Sequence, residues 1–430
     1  MSSPRGNPMV LLLRITNIKR PEAMVTRISP SRNIHYPHRK WPLVLLITIV
    51  LTLNVIMTHH FFTSRFPGAN DFFSRWEGAR VFWQKGLSPY SREATLSIQI
   101  GMYGRPARLD EDQVLFAYPF YTVFFLLPLV WFPYSWAQAI WMVFLECLVL
   151  AGLWLCIDLY RWHPPFPLLM LTNLWAILFY HQARAIILGQ FAVVVFFSLA
   201  LSLWALTRKK DALAGISLAF TTLKPQMVFL TIPFLLIWSI LRRRWFLIIA
   251  FSVTMALLLG LSWIAEPQWF QGFLRQVMAY PTYTAFGSPV WILTSYYFSA
   301  MGKPAEILLS LSLLVLLGYF WSRAFRTDSE LLFHRALGLT LVVTNLIAPR
   351  TATTNYVIFI IPIVFLFALI RRYFWIALGE ILSLPAFWLL FAFTVKGNFE
   401  QPPMYLPLPF IMLLALLFTP DCASGSQKPL

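Results

Sequence analysis

Asp211-Ala-Leu-Ala-Gly215-Ile-Ser-Leu-Ala-Phe-Thr-Thr-Leu-Lys224-Pro225-Gln-Met-Val-Phe-Leu-Thr-Ile-Pro-Phe-Leu-Leu-Ile-Trp-Ser-Ile-Leu241 is a stretch of 31 residues between two basic clusters, Arg208-Lys209-Lys210 and Arg242-Arg243-Arg244. After Asp211 it carries one charged side chain, Lys224. As a continuous helix at 1.5 Å per residue it would reach about 46 Å, more than one bilayer crossing and less than two full ones. Proline 225 removes a backbone donor and pushes the preceding residue out of helical geometry, so the break falls on the lysine. An apolar run interrupted at a lone charge is what a membrane helix lining a cavity looks like. It sets the fold class as all-α and bilayer-spanning.

The rest of the chain agrees. Of 430 residues, 59% are hydrophobic, 17% aromatic and only 12% charged. A soluble domain carries about 25% charged residues. That deficit excludes a soluble enzyme, a disordered chain and a nucleic-acid binder. Candidate spans fall near 42–62, 117–133, 136–158, 166–181, 187–207, 211–241, 245–264, 305–323, 330–348, 355–370, 373–393 and 404–419, about 12 in all. No internal repeat is visible.

The formal charge of +17 is distributed as the positive-inside rule predicts. A basic head, residues 1–41, places the N-terminus in the cytoplasm, and the spans occupy 42–420 with a cytoplasmic tail at 421–430. The localisation this implies is a multi-pass protein of the plasma membrane. The three cysteines suggest no disulfide or metal framework. Parity is in conflict at one place. A single crossing by 211–241 puts Arg242–Arg244 inside but leaves Arg208–Lys210 outside, whereas a hairpin brings both inside and requires an earlier short segment not to cross. The single crossing is the preferred count. Either way, the long segments 63–116 and 265–304 lie on the extracytoplasmic side.

Just after the first span stands Asn70-Asp71-Phe-Phe-Ser-Arg75-Trp76-Glu-Gly-Ala-Arg-Val-Phe-Trp83-Gln-Lys-Gly86-Leu-Ser-Pro89-Tyr90. Phe72, Trp76, Ala79 and Trp83 recur at helical spacing and Gly86 suits a helix stop. The expected element is an amphipathic helix lying in the headgroup plane, with Asp71 at its start as an N-cap.

These residues resemble the first loop of GT-C glycosyltransferases, and more specifically of the glycosyltransferase 87 family. The likeness continues through Phe116-Ala-Tyr118-Pro119, Leu127-Pro128, Gly189-Gln190, Ala214-Gly215, Leu223-Lys224-Pro225-Gln226 and Ala348-Pro349-Arg350-Thr351, covering roughly residues 42–370. The resemblance implies a GT-C-like bundle that moves a mannose-like hexose from a polyprenyl-phosphate donor to a lipid or glycan acceptor, with inversion, outside the cytoplasm. Its partners would be that donor, that acceptor and membrane lipids, with no nucleic acid, cofactor or metal.

In that reading Asp71 takes the position of the catalytic base, since an attacking hydroxyl needs a carboxylate within hydrogen-bond reach. Lys224 is the candidate partner of the departing phosphate, whose growing charge needs a fixed cation. Gln190, Arg350 and Tyr90 are further substrate-binding candidates. The bland alternatives are a snorkelling Lys224, a Gln190 that caps a helix and an Arg350 on lipid headgroups.

The chain departs from the family in one place. Where relatives carry a pair of histidines after the Ser-Pro motif, this sequence has Thr354-Asn355. His59 and His60 read as interfacial residues, Asp110-Glu111-Asp112 as a solvated loop, and Glu146 as an intramembrane carboxylate open to a structural or a functional role. Aromatics in 265–304 suit membrane anchoring or a lid over the donor. The rival classes are a transporter or flippase, for which a Lys-Pro break in a long span is also apt, and a polymerase or ligase for lipid-linked sugars.

Overall fold

The computed structural model describes residues 41–66, 68, 70–283, 287–397 and 400–420. The expectations for the basic head before Trp41 and for the tail 421–430 lie outside these residues. Two units are separable, Met1–Thr48 and Ile49–Leu430. The fold that positions the site is that of the second.

Regular structure among the described residues is helical. The chain order is α1 (Trp41–Thr58), α2 (Asn70–Lys85), α3 (Arg92–Tyr103), α4 (Thr122–Leu126), α5 (Tyr134–Leu159), α6 (Phe166–Leu178), α7 (Tyr180–Ile187), α8 (Ala192–Thr207) and α9 (Asp211–Phe220). It continues with α10 (Thr231–Leu241), α11 (Trp245–Ala265), α12 (Trp269–Tyr283), α13 (Pro289–Trp291), α14 (Gly302–Arg326), α15 (Glu330–Ile347), α16 (Ile360–Leu369), α17 (Tyr373–Thr394) and α18 (Pro407–Leu417). Among the described residues, six stretches are long and apolar enough to cross a membrane: Trp41–Thr63, Tyr134–Leu159, Trp245–Ala265, Gly302–Arg326, Glu330–Ile347 and Tyr373–Thr394. A seventh arises if α7 and α8, bent by 118° at Leu188–Phe191, count as one broken span. The other apolar helices are shorter, so length and composition do not support a count of about twelve.

Burial sorts the helices. Most of α8 and nearly all of α15 are buried, while α11 and α17 leave large apolar side chains such as Val253, Leu257, Trp263, Leu389 and Phe393 exposed. Rows of exposed leucine and phenylalanine on long helices are the surface of a membrane protein, where the solvent is hydrocarbon.

The candidate span at 117–133 is not a spanning helix. It forms only the five-residue α4 and a series of turns. Its far end returns to where the loop began: Thr63 Oγ1 donates to the Ser135 carbonyl at 2.8 Å and His59 stacks on Trp136 with centroids 3.7 Å apart. Pro119, Pro128 and Pro133 interrupt helical hydrogen bonding. Side chains of α2 meet the carbonyls left over, with Trp76, Trp83 and Gln84 donating to Leu129, Val123 and Val130.

The segment 211–241 corrects the preferred count. It is two helices, α9 and α10, joined by 3-10 turns at Thr221–Leu223 and Pro225–Met227 with Lys224 between them. Arg244 reaches Asp211 at 2.7 Å and donates to the Leu206 carbonyl at 2.8 Å. The two basic clusters therefore share one end of the unit, and 211–241 is a hairpin. Arg208 pairs with Asp158 and Arg242 with Asp328 at that same end. Gly215 permits the tight contact of α9 with α11, because a Cβ there would lie 2.2 Å from the Leu247 carbonyl oxygen.

Candidate active site

The end of the unit opposite the basic clusters gathers α2, the α7–α8 corner, the tip of the α9–α10 hairpin and α12. The helix expected at 70–85 is present, and Gly86 ends it with φ +66°. It does not lie on a surface as an amphipathic helix would. Phe72 and Trp76 are buried, and so are Ser74, Arg75 and Glu77 from other faces. Burial of polar groups on a helix requires partners, and Glu77 finds them in Arg80 and Ser97.

Asp71, in the first turn of α2, is 36% exposed and accepts a hydrogen bond from Gln190 Nε2 at 2.5 Å. Gln190 Oε1 in turn accepts from Lys224 Nζ at 2.7 Å. Gln190 and Lys224 are each 5% exposed. A carboxylate, an amide and an ammonium thus form one chain drawn from three distant parts of the sequence. The Gln190 amide bridges the other two, donating to the carboxylate and accepting from the lysine.

The local backbone explains why these three meet. Gly189 has φ +67°, and a Cβ there would fall 2.5 Å from Phe72 Cβ, so only glycine lets the α7–α8 corner touch α2. The Phe72 amide donates to the Leu188 carbonyl, and Trp141 on α5 donates to the Gly189 carbonyl at 2.9 Å while stacking on Phe72. The corner points Gln190 at Asp71. On the opposite side, the Lys224-Pro225 break turns the hairpin, and Tyr121 caps it by donating to the Thr222 carbonyl at 2.9 Å.

Further charged and phenolic groups surround the carboxylate. Arg75 Nη1 lies 3.9 Å from Asp71 Oδ1, with its guanidinium 4.5 Å from the Tyr118 ring centroid. Tyr280 on α12 feels the charges of Asp71, Arg75, Asp112 and Arg350, and burial followed by the Asp71 charge pushes its phenol up to about 12. Burial, with a further contribution from Asp71, also raises the Asp112 carboxyl above its ordinary value.

The two remaining candidates do not touch this chain. Tyr90 donates to the Tyr118 carbonyl at 2.6 Å and packs against Gly272 of α12, where a Cβ would lie 2.7 Å away. It supports the ring beneath Arg75. Arg350 has φ +57° and donates to the Pro281 carbonyl at 2.9 Å, tying the α15 end to α12. Within 265–304 the chain forms α12, whose Gln276 Oε1 accepts from the Ala117 amide at 2.8 Å. His59, stacked on Trp136, and Glu146, accepting from Asn54 Nδ2 at 2.9 Å, hold α1 to α5.

The family model of glycosyltransferase family 87 matches residues 116–349, more than half of the chain. The chain belongs to glycosyltransferase family 87. No curated protein and no solved structure matches it. As a family 87 protein with long apolar helices it is a membrane glycosyltransferase, and it acts on a sugar donor and an acceptor. Gln190 and Lys224 fall inside the matched stretch of this glycosyltransferase, Asp71 and Tyr90 before it, and Arg350 immediately after it.

Sequence reasoning missed several groups at this end. Glu400 accepts from Tyr180 at 2.6 Å and from Thr353 at 2.5 Å, and pairs with Arg184 at 2.8 Å, joining the segment before α18 to α7. His181 packs edge-on against Tyr356, beside the Thr354-Asn355 pair, whose Thr354 Oγ1 and Asn355 Oδ1 are buried with no partner among the described residues. A lone Glu in a short loop and a His in an apolar run gave no local signal. Arg75 follows Asp71 at the i,i+4 spacing of a helix pair, a signal that was there to be used, whereas Tyr280 had no pattern pointing to Asp71.

Proposed function

We propose that this family 87 glycosyltransferase transfers a mannose-like hexose from a polyprenyl phosphate to a hydroxyl of a lipid or glycan acceptor. The observation that carries the proposal is the hydrogen-bonded chain Asp71–Gln190–Lys224. The acceptor O–H attacks the anomeric carbon from the face opposite the phosphate, the C–O bond to the phosphate breaks, and the sugar leaves inverted. Asp71 takes the acceptor proton, for which its partly exposed carboxylate has room. Lys224 stabilises the charge that builds on the departing polyprenyl phosphate, and burial strengthens that interaction. Gln190 holds both groups in register. Arg75 and Arg350 supply further positive charge beside the donor, and Tyr90 supports the wall beneath Arg75.

With the basic clusters on the cytoplasmic side, as membrane insertion favours, the Asp71 end opens extracytoplasmically and both termini lie inside. The site then faces the leaflet in which a lipid-linked donor presents its sugar.

The test is transfer of radiolabelled hexose from a polyprenyl-phosphate sugar by the purified protein in lipid. Asp71→Asn should lower the rate by about 10²–10⁴-fold, the worth of a general base, at unchanged expression. Lys224→Ala should raise the donor KM. Wild-type rates in Asp71→Asn would remove it as the base, and an unchanged donor KM would take Lys224 out of the site.

A further inference from the structure

The helix that carries Asp71 has a second functional stripe. Asp71 and Arg75 share one stripe of α2, and Glu77, Arg80 and Gln84 share another, with helical spacing separating the two. The second stripe opens into a cavity of about 560 Å³ walled by Trp76, Trp131 and Tyr134. That is a size typical of small-molecule sites. It belongs to none of the groups placed in the reaction above.

Its polar groups are built in. Glu77 is 2% exposed, and its carboxylate accepts from Arg80 Nε at 2.7 Å, from Arg80 Nη2 at 2.9 Å and from Ser97 Oγ at 2.6 Å. This two-pronged grip fixes the guanidinium plane. Arg80 is also held 5.0 Å from the Trp76 ring centroid, yet its side chain stays 37% exposed. An arginine has five N–H donors, so the edge not gripped by Glu77 is left to the cavity. Gln84, which lines the cavity, donates one amide N–H to the Val130 carbonyl at 2.9 Å, and its carbonyl oxygen is an acceptor with no partner among the described residues. Trp131 is 65% exposed at the mouth.

The ligand class follows from this inventory. The Glu77–Arg80 pair is neutral as a unit, so nothing draws a phosphate or other anion in. Aromatic faces suit the C–H faces of a pyranose, and fixed donors beside a free acceptor suit its hydroxyls. We infer that this cavity is a saccharide subsite that holds a sugar of the acceptor remote from the one being glycosylated. The inference rests on the glycosyltransferase reading for the word acceptor, and it narrows the acceptor to a glycan of more than one sugar. Tyr134 links the two places: its ring lies 5.1 Å from Trp76 and 6.1 Å from Phe72, the residue next to Asp71.

The experiment is a titration of the full-length protein in lipid nanodiscs with α-mannotriose and with maltotriose, followed by tryptophan fluorescence and by calorimetry. Binding of at least one trisaccharide is expected. It should weaken by about tenfold or more in Trp131→Ala and in Gln84→Ala, and persist in Asp71→Asn. Gln84→Ala separates sugar contact from any anchoring role of Trp131 at the membrane. Equal binding in both variants, or binding of neither sugar by wild type, overturns the subsite. Tighter binding of phosphatidylglycerol vesicles that is lost in the same variants would also overturn it in favour of a lipid headgroup site. Should trisaccharide binding hold while wild type transfers no sugar, the transfer reading fails and the subsite stands.

Discussion

Asp71 and Lys224 are joined through a single side chain: Gln190 donates to the carboxylate at 2.5 Å and accepts from the ammonium at 2.7 Å. The carboxylate proposed as base and the lysine proposed as partner of the leaving group are thereby held at a fixed separation. Preorganisation of this kind is where much of an enzyme's electrostatic advantage resides.

Gln190 should accordingly matter as a positioning residue. Gln190→Leu keeps the bulk and removes both hydrogen bonds, leaving Lys224 buried without this partner. A drop in kcat of about 10²-fold is expected, as for a misplacement of catalytic groups by an ångström. Gln190→Asn, which keeps the amide on a shorter stem, should fall between the two. Steady-state kinetics with a fixed lipid-linked donor distinguishes this from a folding defect, because melting temperature should move far less than kcat.

The hairpin at 211–241 predicts a topology. Single cysteines at Lys209 and Arg243 should be modified from the same side of sealed vesicles by a membrane-impermeant maleimide. A cysteine at Leu109, which lies between α3 and α4 and is fully exposed, should be modified from the other side. Labelling of positions 209 and 243 from opposite sides would restore the single crossing.

The turn after α3 has its own pH dependence. Glu111 accepts from Arg105 at 2.5 Å and from the Arg108 amide at 2.6 Å, and these bonds, the Arg105 one foremost, lower its carboxyl to about 2. A carboxylate lowered on folding contributes its ordering above the ordinary value of 4.5 and loses it as pH falls through about 2. The Arg108 amide should therefore be protected from hydrogen exchange at neutral pH and down past pH 4, and released only at stronger acidity. Glu111→Ala, which removes the acceptor, should release it at pH 7.

Much of this architecture was legible in the sequence for identifiable reasons. Spacing of Phe72, Trp76 and Ala79 gave α2, and a glycine at 86 gave its stop, because both signals are local. The Lys224-Pro225 break was legible because proline acts on its immediate neighbour. Asp71, Gln190 and Lys224 were each named, yet their contact came from tertiary geometry set by Gly189 and Trp141. The segment 117–133 was misread as a span because hydropathy registers burial and not direction. Phe120 and Phe124 pack on Phe82 and Trp83 of α2. The Arg184–Glu400 pair was invisible because a long-range ion pair leaves no pattern along the chain.

A double-mutant cycle on Asp71 and Lys224 tests the central claim most directly. Transfer rates are measured for wild type, Asp71→Asn, Lys224→Met and the double variant. If the two groups act as one unit through Gln190, the double variant should be about as slow as the slower single variant, since effects of coupled groups do not add. Losses that multiply would show two independent residues, and that result would contradict the account.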